Sequence, residues 1–67
     1  MEVSARNQIR GTVKSVTKDG LMAEVVIEMG TQEIVSTITR SSADRLDLKK
    51  GDVVTAIIKA SEVLIAK

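Results

Sequence analysis

Sixty-seven residues, with ten Lys or Arg against nine Asp or Glu and a net charge of +1, make one small domain over residues 1–67 and give little electrostatic basis for binding nucleic acid. Without Cys or His the chain forms no disulfide, and neither a structural zinc site nor any direct set of metal ligands is expected. No apolar run is long enough to span a bilayer and the N-terminus has no signal-peptide pattern, so the chain reads as soluble and cytoplasmic, with no membrane partner.

Residues 8–17 read as a first strand with a defect. Ile9, Val13 and Val16 do not share one alternation, and Gly11 between them marks a bulge or sharp bend. Lys18-Asp19-Gly20 is then a turn, since Asp-Gly is a strong hairpin signal. Residues 21–29 are the clearest strand, with Ala23, Val25, Ile27 and Met29 on one face and Met22, Glu24, Val26 and Glu28 on the other. Gly30-Thr31 turns the chain again, and residues 32–39 follow with Ile34 and Ile38 opposite Val35, Thr37 and Thr39. Residues 41–48 predict a short helix. Ser41 or Ser42 caps it, Asp44 stands where a capping box places its acid, Leu46 and Leu48 anchor it, and Lys49-Lys50-Gly51 suits its exit. Residues 53–58 are apolar on both faces, which predicts burial on both sides, with another subunit as a candidate for one of them. Val63-Leu64-Ile65-Ala66 predicts a short last strand.

This order is the layout of an all-β, small five-stranded OB-like barrel with one short helix between strands 3 and 4. A small SH3-like barrel has similar strand lengths. There is no Phe, Tyr or Trp, so the core must pack many Val and Ile side chains. A lone core of this size supplies little stability, and small chains add disulfides, metals or partner subunits. With the first two set aside, a homo-oligomer is predicted.

No catalytic constellation is present. His is absent and no Ser or Thr stands in a nucleophile motif, so the chain does not read as an enzyme. Glu24 and Glu28 fit a solvated strand face better than an acid–base pair, and Met22 and Met29 are most simply gap-fillers. Two segments at opposite ends of the chain place a cation beside small residues and hydroxyls: Ser4-Ala5-Arg6-Asn7-Gln8 and Lys59-Ala60-Ser61-Glu62-Val63. Arg6 offers a planar fork of donors that matches an oxyanion, and Ser4 projects to the same side of an extended segment. Lys59 supplies a point charge, and the turn after it supplies backbone N–H groups and the Ser61 hydroxyl. Such a set suits a small tetrahedral dianion. On residue type alone, a solvated arm and a polar strand end are the simpler account. Asn7 and Gln8 fit three roles: donating to a ligand, satisfying bent backbone, or bonding a neighbouring subunit.

Taken together, these residues resemble the molbindins, small cytoplasmic proteins that bind molybdate or tungstate. The likeness covers essentially the whole chain. It runs through Ser-Ala-Arg-Asn-Gln at 4–8, Gly11, Ala23-Glu24-Val25, Thr37-Ile38, Thr55-Ala56-Ile57-Ile58-Lys59 and Ser61-Glu62-Val63. The resemblance implies an OB-like barrel that assembles as a hexamer, a trimer of dimers, with oxyanions held between subunits. It implies Ser4, Ala5 and Arg6 from one subunit, with Lys59, Ala60 and Ser61 from a neighbour, as the oxyanion-binding residues. Molybdate or tungstate is then the bound ligand, with no other cofactor, and intracellular storage or homeostasis of molybdenum the role. The family often has Ser where this chain has Ala60, which removes one side-chain donor. Two alternatives stand beside this reading. One is an oligomeric interaction domain that no longer binds oxyanion. The other is a nucleic-acid-binding OB domain, disfavoured because such domains stack bases on aromatics.

Overall fold

The computed structural model of the chain describes Ser4 and residues 6–67. Four strands, β1 (Asn7–Asp19), β2 (Met22–Met29), β3 (Gln32–Thr39) and β4 (Val53–Ile58), form one antiparallel sheet in the order β3-β2-β1-β4. A short helix, α1 (Arg40–Arg45), follows β3, and a 3-10 turn over Ala60–Glu62 follows β4. The expected fifth strand over residues 63–66 is not among them. Those residues pair with no strand, and Leu64 and Ile65 are 91% and 87% exposed.

β1 belongs to two ladders. Its first half pairs with β4, from Asn7↔Ile58 to Thr12↔Val53, and its second half with β2, from Thr12↔Glu28 to Asp19↔Met22. The strand therefore has to bend, and the sequence defect is the means. The structure separates two features that the sequence merged at Gly11. Lys14 is the extra residue of the bulge, because Val13 pairs with Ile27 while Ser15 pairs with Val26. That insertion shifts the alternation by one, so Val13 and Val16 both face the core. Gly11 marks a close approach instead: a Cβ there would lie 2.5 Å from Ile27 Cγ2 and 2.7 Å from the Glu28 carbonyl oxygen.

Both hairpins turn on two residues, Gly20-Leu21 and Gly30-Thr31, with positive φ at the glycine (61° and 65°). A two-residue hairpin loop with Gly first is a favoured way to match strand twist. The first turn thus sits one residue later than Asp19-Gly20.

Helix α1 is shorter than the expected 41–48, and its caps differ. Thr39, not Ser41 or Ser42, is the N-cap: its Oγ1 accepts from the Ser42 backbone N–H at 3.2 Å. Asp44 does not close a capping box; its carboxylate takes the Lys18 ammonium of β1 at 2.5 Å. The exit comes at Asp47, which adopts φ 50° while Leu48 N–H reaches the Ala43 carbonyl and Asp47 N–H the Asp44 carbonyl. That is a Schellman motif with Asp in the glycine position. Gly51 serves the next turn, where its N–H donates to the Val13 carbonyl.

The buried core is small: Val13, Ala23, Val25, Ile27 and Ala43. Leu48, Val54 and Ala56 pack partly against it, whereas Leu46, expected to anchor the helix, is 66% exposed. The sheet curls into a half-barrel, so that Ile34 and Ile38 of β3 face Val54 and Ala56 of β4 across an open apolar trough. Only one face of β4 is partly covered; Val53, Thr55 and Ile57 on the other are exposed. In the single chain the expected double burial of this strand is therefore half met.

Candidate oxyanion site

The β1–β4 ladder ends at Asn7↔Ile58. Arg6 immediately precedes this pair and Lys59 immediately follows it. One antiparallel pair plus one residue on each side keeps their Cα atoms within roughly 13 Å. Two cations that are 53 positions apart in the chain thus emerge from one end of one ladder. The same counting sends Ser4 and Ser61 out from that end. Ala5 lies outside the described residues.

Asn7 ties this end together. Its side-chain Nδ2 donates to the Ile58 carbonyl oxygen at 3.1 Å. A carbonyl can only accept, so the amide orientation is fixed. A bond to its own chain's backbone is thus one of the three roles open to Asn7 that the structure shows.

Ser4, Arg6, Lys59, Ala60 and Ser61 are all exposed. Among the described residues, the ion pairs are Lys14–Glu33, Lys18–Asp44 and Lys49–Asp47, and neither Arg6 nor Lys59 takes part in one. Lys59 is also the N-cap of the 3-10 turn, with no side-chain hydrogen bond closing it. The first N–H groups of such a turn lack partners within it. Glu62 sits in the same turn, and its carboxylate forms no ion pair among the described residues. The end of the ladder therefore carries a guanidinium, an ammonium, hydroxyls and unclosed N–H donors. None of these residues lines the apolar trough, which is formed by Val25, Ile27 and their neighbours.

Several other polar residues singled out in the sequence have structural roles. Ser42 Oγ bonds Thr39 and accepts from Arg45 at 3.2 Å. Glu28 stands directly opposite Glu33, an unfavourable pairing of like charges. The bulge re-aims Lys14 at this pair, where its ammonium meets Glu33 at 2.5 Å. The hydrogen bond from Glu33, then its charge, and further off the charge of Glu28, hold the Lys14 ammonium above its ordinary pKa. This role was missed in the sequence, although the change of phase between Val13 and Val16 marks where the extra residue had to be. Met29 packs on the core as a gap-filler, while Met22 is 43% exposed. Among the described residues no cluster of carboxylates is placed to hold a metal ion, and no helix is long and apolar enough to cross a membrane.

The TOBE domain model matches residues 3–65. "Molybdenum-pterin-binding protein 1" of Clostridium pasteurianum is 42% identical over 66 residues, covering 97% of this chain and 97% of the relative. Among solved structures, a molybdate-binding protein from Sporomusa ovata superposes with a TM-score of 0.95 at 42% identity, over 100% of both chains. The cytoplasmic molybdate-binding protein ModG, with molybdate bound, superposes with a TM-score of 0.89 at 38% identity, over 96% of this chain and 46% of that one. A four-stranded half-barrel with one short helix, matched across almost its whole length, places this chain in the TOBE domain family.

Proposed function

We propose that this chain binds molybdate, or the isostructural tungstate, as a free oxyanion and performs no chemistry on it. The observation that carries the reading is the convergence of Arg6 and Lys59 at one end of the β1–β4 ladder, without an acidic partner for either among the described residues. One guanidinium and one ammonium neutralise a dianion. Hydroxyls of Ser4 and Ser61 and backbone N–H groups complete a tetrahedral shell, with the Ala60 N–H standing in for the missing side-chain donor. The names of relatives speak of molybdenum-pterin as well as molybdate. The oxyanion is favoured here because the chain has no aromatic ring on which a pterin would stack.

A site this exposed is weak in one chain, since water screens its charges. Desolvation by a second chain remedies that, so the site belongs at a subunit boundary where two such ladder ends meet in a hexamer, each chain giving Ser4 and Arg6 to one site and Lys59 to Ser61 to another. The open trough, the exposed face of β4 and the apolar tail at Val63, Leu64 and Ile65 support association. Charge-assisted hydrogen bonds contribute about 1.5–3 kcal/mol each. Several together reach about −8 kcal/mol, micromolar affinity, after association costs. Reversible binding of this strength suits storage or homeostasis in the cytoplasm.

Titration calorimetry on Arg6→Ala and Lys59→Ala tests the assignment. Each variant is expected to lose at least about tenfold in molybdate affinity while keeping the mass and far-ultraviolet spectrum of the parent. Parental affinity in both variants would remove these residues from the site.

A further inference from the structure

The two segments that meet in the β1–β4 ladder carry an unbalanced charge. Residues 3–18 hold four cations and no acid, and residues 53–67 hold a single acid, Glu62. That acid stands in the same half-site as Lys59. Its N–H donates to the Lys59 carbonyl at 2.9 Å, which closes a four-residue turn and keeps the two Cα atoms within about 7 Å. Both side chains are exposed, and among the described residues they form no ion pair with each other or with any other group. Because one short segment carries both, Glu62 accompanies Lys59 to whichever subunit boundary that segment forms.

We propose that Glu62 is an affinity-setting residue of the oxyanion site, a fixed negative charge that opposes the dianion the two cations attract. The inference rests on the oxyanion reading above. At one boundary, Arg6 of one copy meets Lys59 and Glu62 of another. Two cations and one acid leave the empty site with one positive charge in excess. A dianion then overshoots neutrality by one negative charge, whereas without the acid it would balance the site. The repulsion scales with the product of the charges, so it falls twice as heavily on a dianion as on a monoanion of the same shape. Glu62 thereby holds affinity below what a guanidinium and an ammonium alone would give. That keeps binding reversible, as a protein that stores an oxyanion and gives it up requires.

The test compares wild type with Glu62→Gln, which keeps the length of the side chain and removes its charge. Molybdate affinity is read by calorimetry, and perrhenate, a tetrahedral oxyanion of half the charge, by displacement of molybdate. Wild type is titrated first, and its failure to bind molybdate would overturn the oxyanion reading itself. Glu62→Gln is expected to keep the parental mass, to bind molybdate about tenfold tighter and to bind perrhenate about threefold tighter, half the free energy for half the charge. Unchanged or weaker molybdate binding would overturn the proposal. So would equal gains for the two anions, because the substitution would then have changed the room in the site and not its charge. Where perrhenate displaces nothing from either protein, the molybdate gain alone decides. If Glu62→Gln does not assemble, Glu62→Ala is judged by the same figures, and failure of both to assemble would make Glu62 an assembly residue and overturn its role in affinity.

Discussion

Replacing Gly11 by Ala tests the account of how β1 bends. The added Cβ would lie 2.5 Å from Ile27 Cγ2, 2.7 Å from the Glu28 carbonyl oxygen and 3.0 Å from Met29 Cγ. Ordinary contacts between such atoms are about 3.5–4.0 Å, so neighbours must retreat by about 1 Å. Met29 can swing, but Ile27 is only 5% exposed and Glu28 is backbone paired to Thr12 in the ladder. Overpacking of this kind costs about 1–3 kcal/mol. Stiffening the unfolded chain returns about 0.4–1 kcal/mol. Because one clash is with backbone, the upper part of the range applies, and a net loss of about 1–2 kcal/mol is expected. For a domain of this size that lowers the melting midpoint by about 4–16 °C. The assay is far-ultraviolet circular dichroism, since the chain has no aromatic reporter, at one fixed protein concentration because association shifts the midpoint. Gly11 does not have positive φ, so backbone strain plays no part. Ile27→Val, which keeps a methyl at Cγ2, should not rescue the variant. A Gly11→Ala protein that melts at or above the parent would refute the close-approach argument.

Three further outcomes follow from the structure. Thr39→Ala removes the N-cap of α1 and should destabilise by about 1 kcal/mol in the same melting assay, whereas Ser41→Ala should change little. Asp44 is held below its ordinary pKa of 3.8, first by the hydrogen bond from Lys18 and then by the charges of Lys18 and Arg40. A lowered folded pKa gives stability that is present above the unfolded value and lost as pH falls through the folded one. The stability gap between the parent and Asp44→Asn should therefore be constant near neutrality and close in acid, and a gap that widens in acid would contradict the pairing. Deleting residues 63–67, which carry the exposed Leu64 and Ile65, should lower the mass seen by light scattering. Each of those side chains is worth about 1.5–3 kcal/mol when buried against a partner.

Much of the architecture was legible because it depends on short-range pattern. The alternation of Ala23, Val25 and Ile27 located β2, and Gly30-Thr31 located its hairpin. The order of three strands, helix and strand also emerged correctly. What failed were features decided by geometry. A bulge and a close approach both ask for something unusual near Gly11, and only the pairing register assigns the extra residue to Lys14. The helix caps went to Thr39 and Asp47 because a cap depends on where the preceding strand releases the chain, not on which Ser or Gly lies nearest. The apolar run 63–66 has strand composition, but in the single chain it pairs with neither free edge of the sheet, β3 or β4. For the site, residue types suggested an anion, while the convergence of Arg6 and Lys59 came from the β1–β4 register, which sequence does not reveal. The bond from Asn7 to the Ile58 carbonyl is not legible in the sequence because an Asn amide fits a ligand, a backbone or a partner equally well.

The most direct test is calorimetric titration of the wild-type chain with molybdate, with sulfate and phosphate as controls, on anion-stripped protein whose mass is fixed by light scattering. The account predicts an oligomer with saturable molybdate binding in the micromolar range or tighter, and much weaker binding of sulfate. A folded oligomer that gives no heat with molybdate at several temperatures, and whose melting midpoint the anion does not raise, would contradict it.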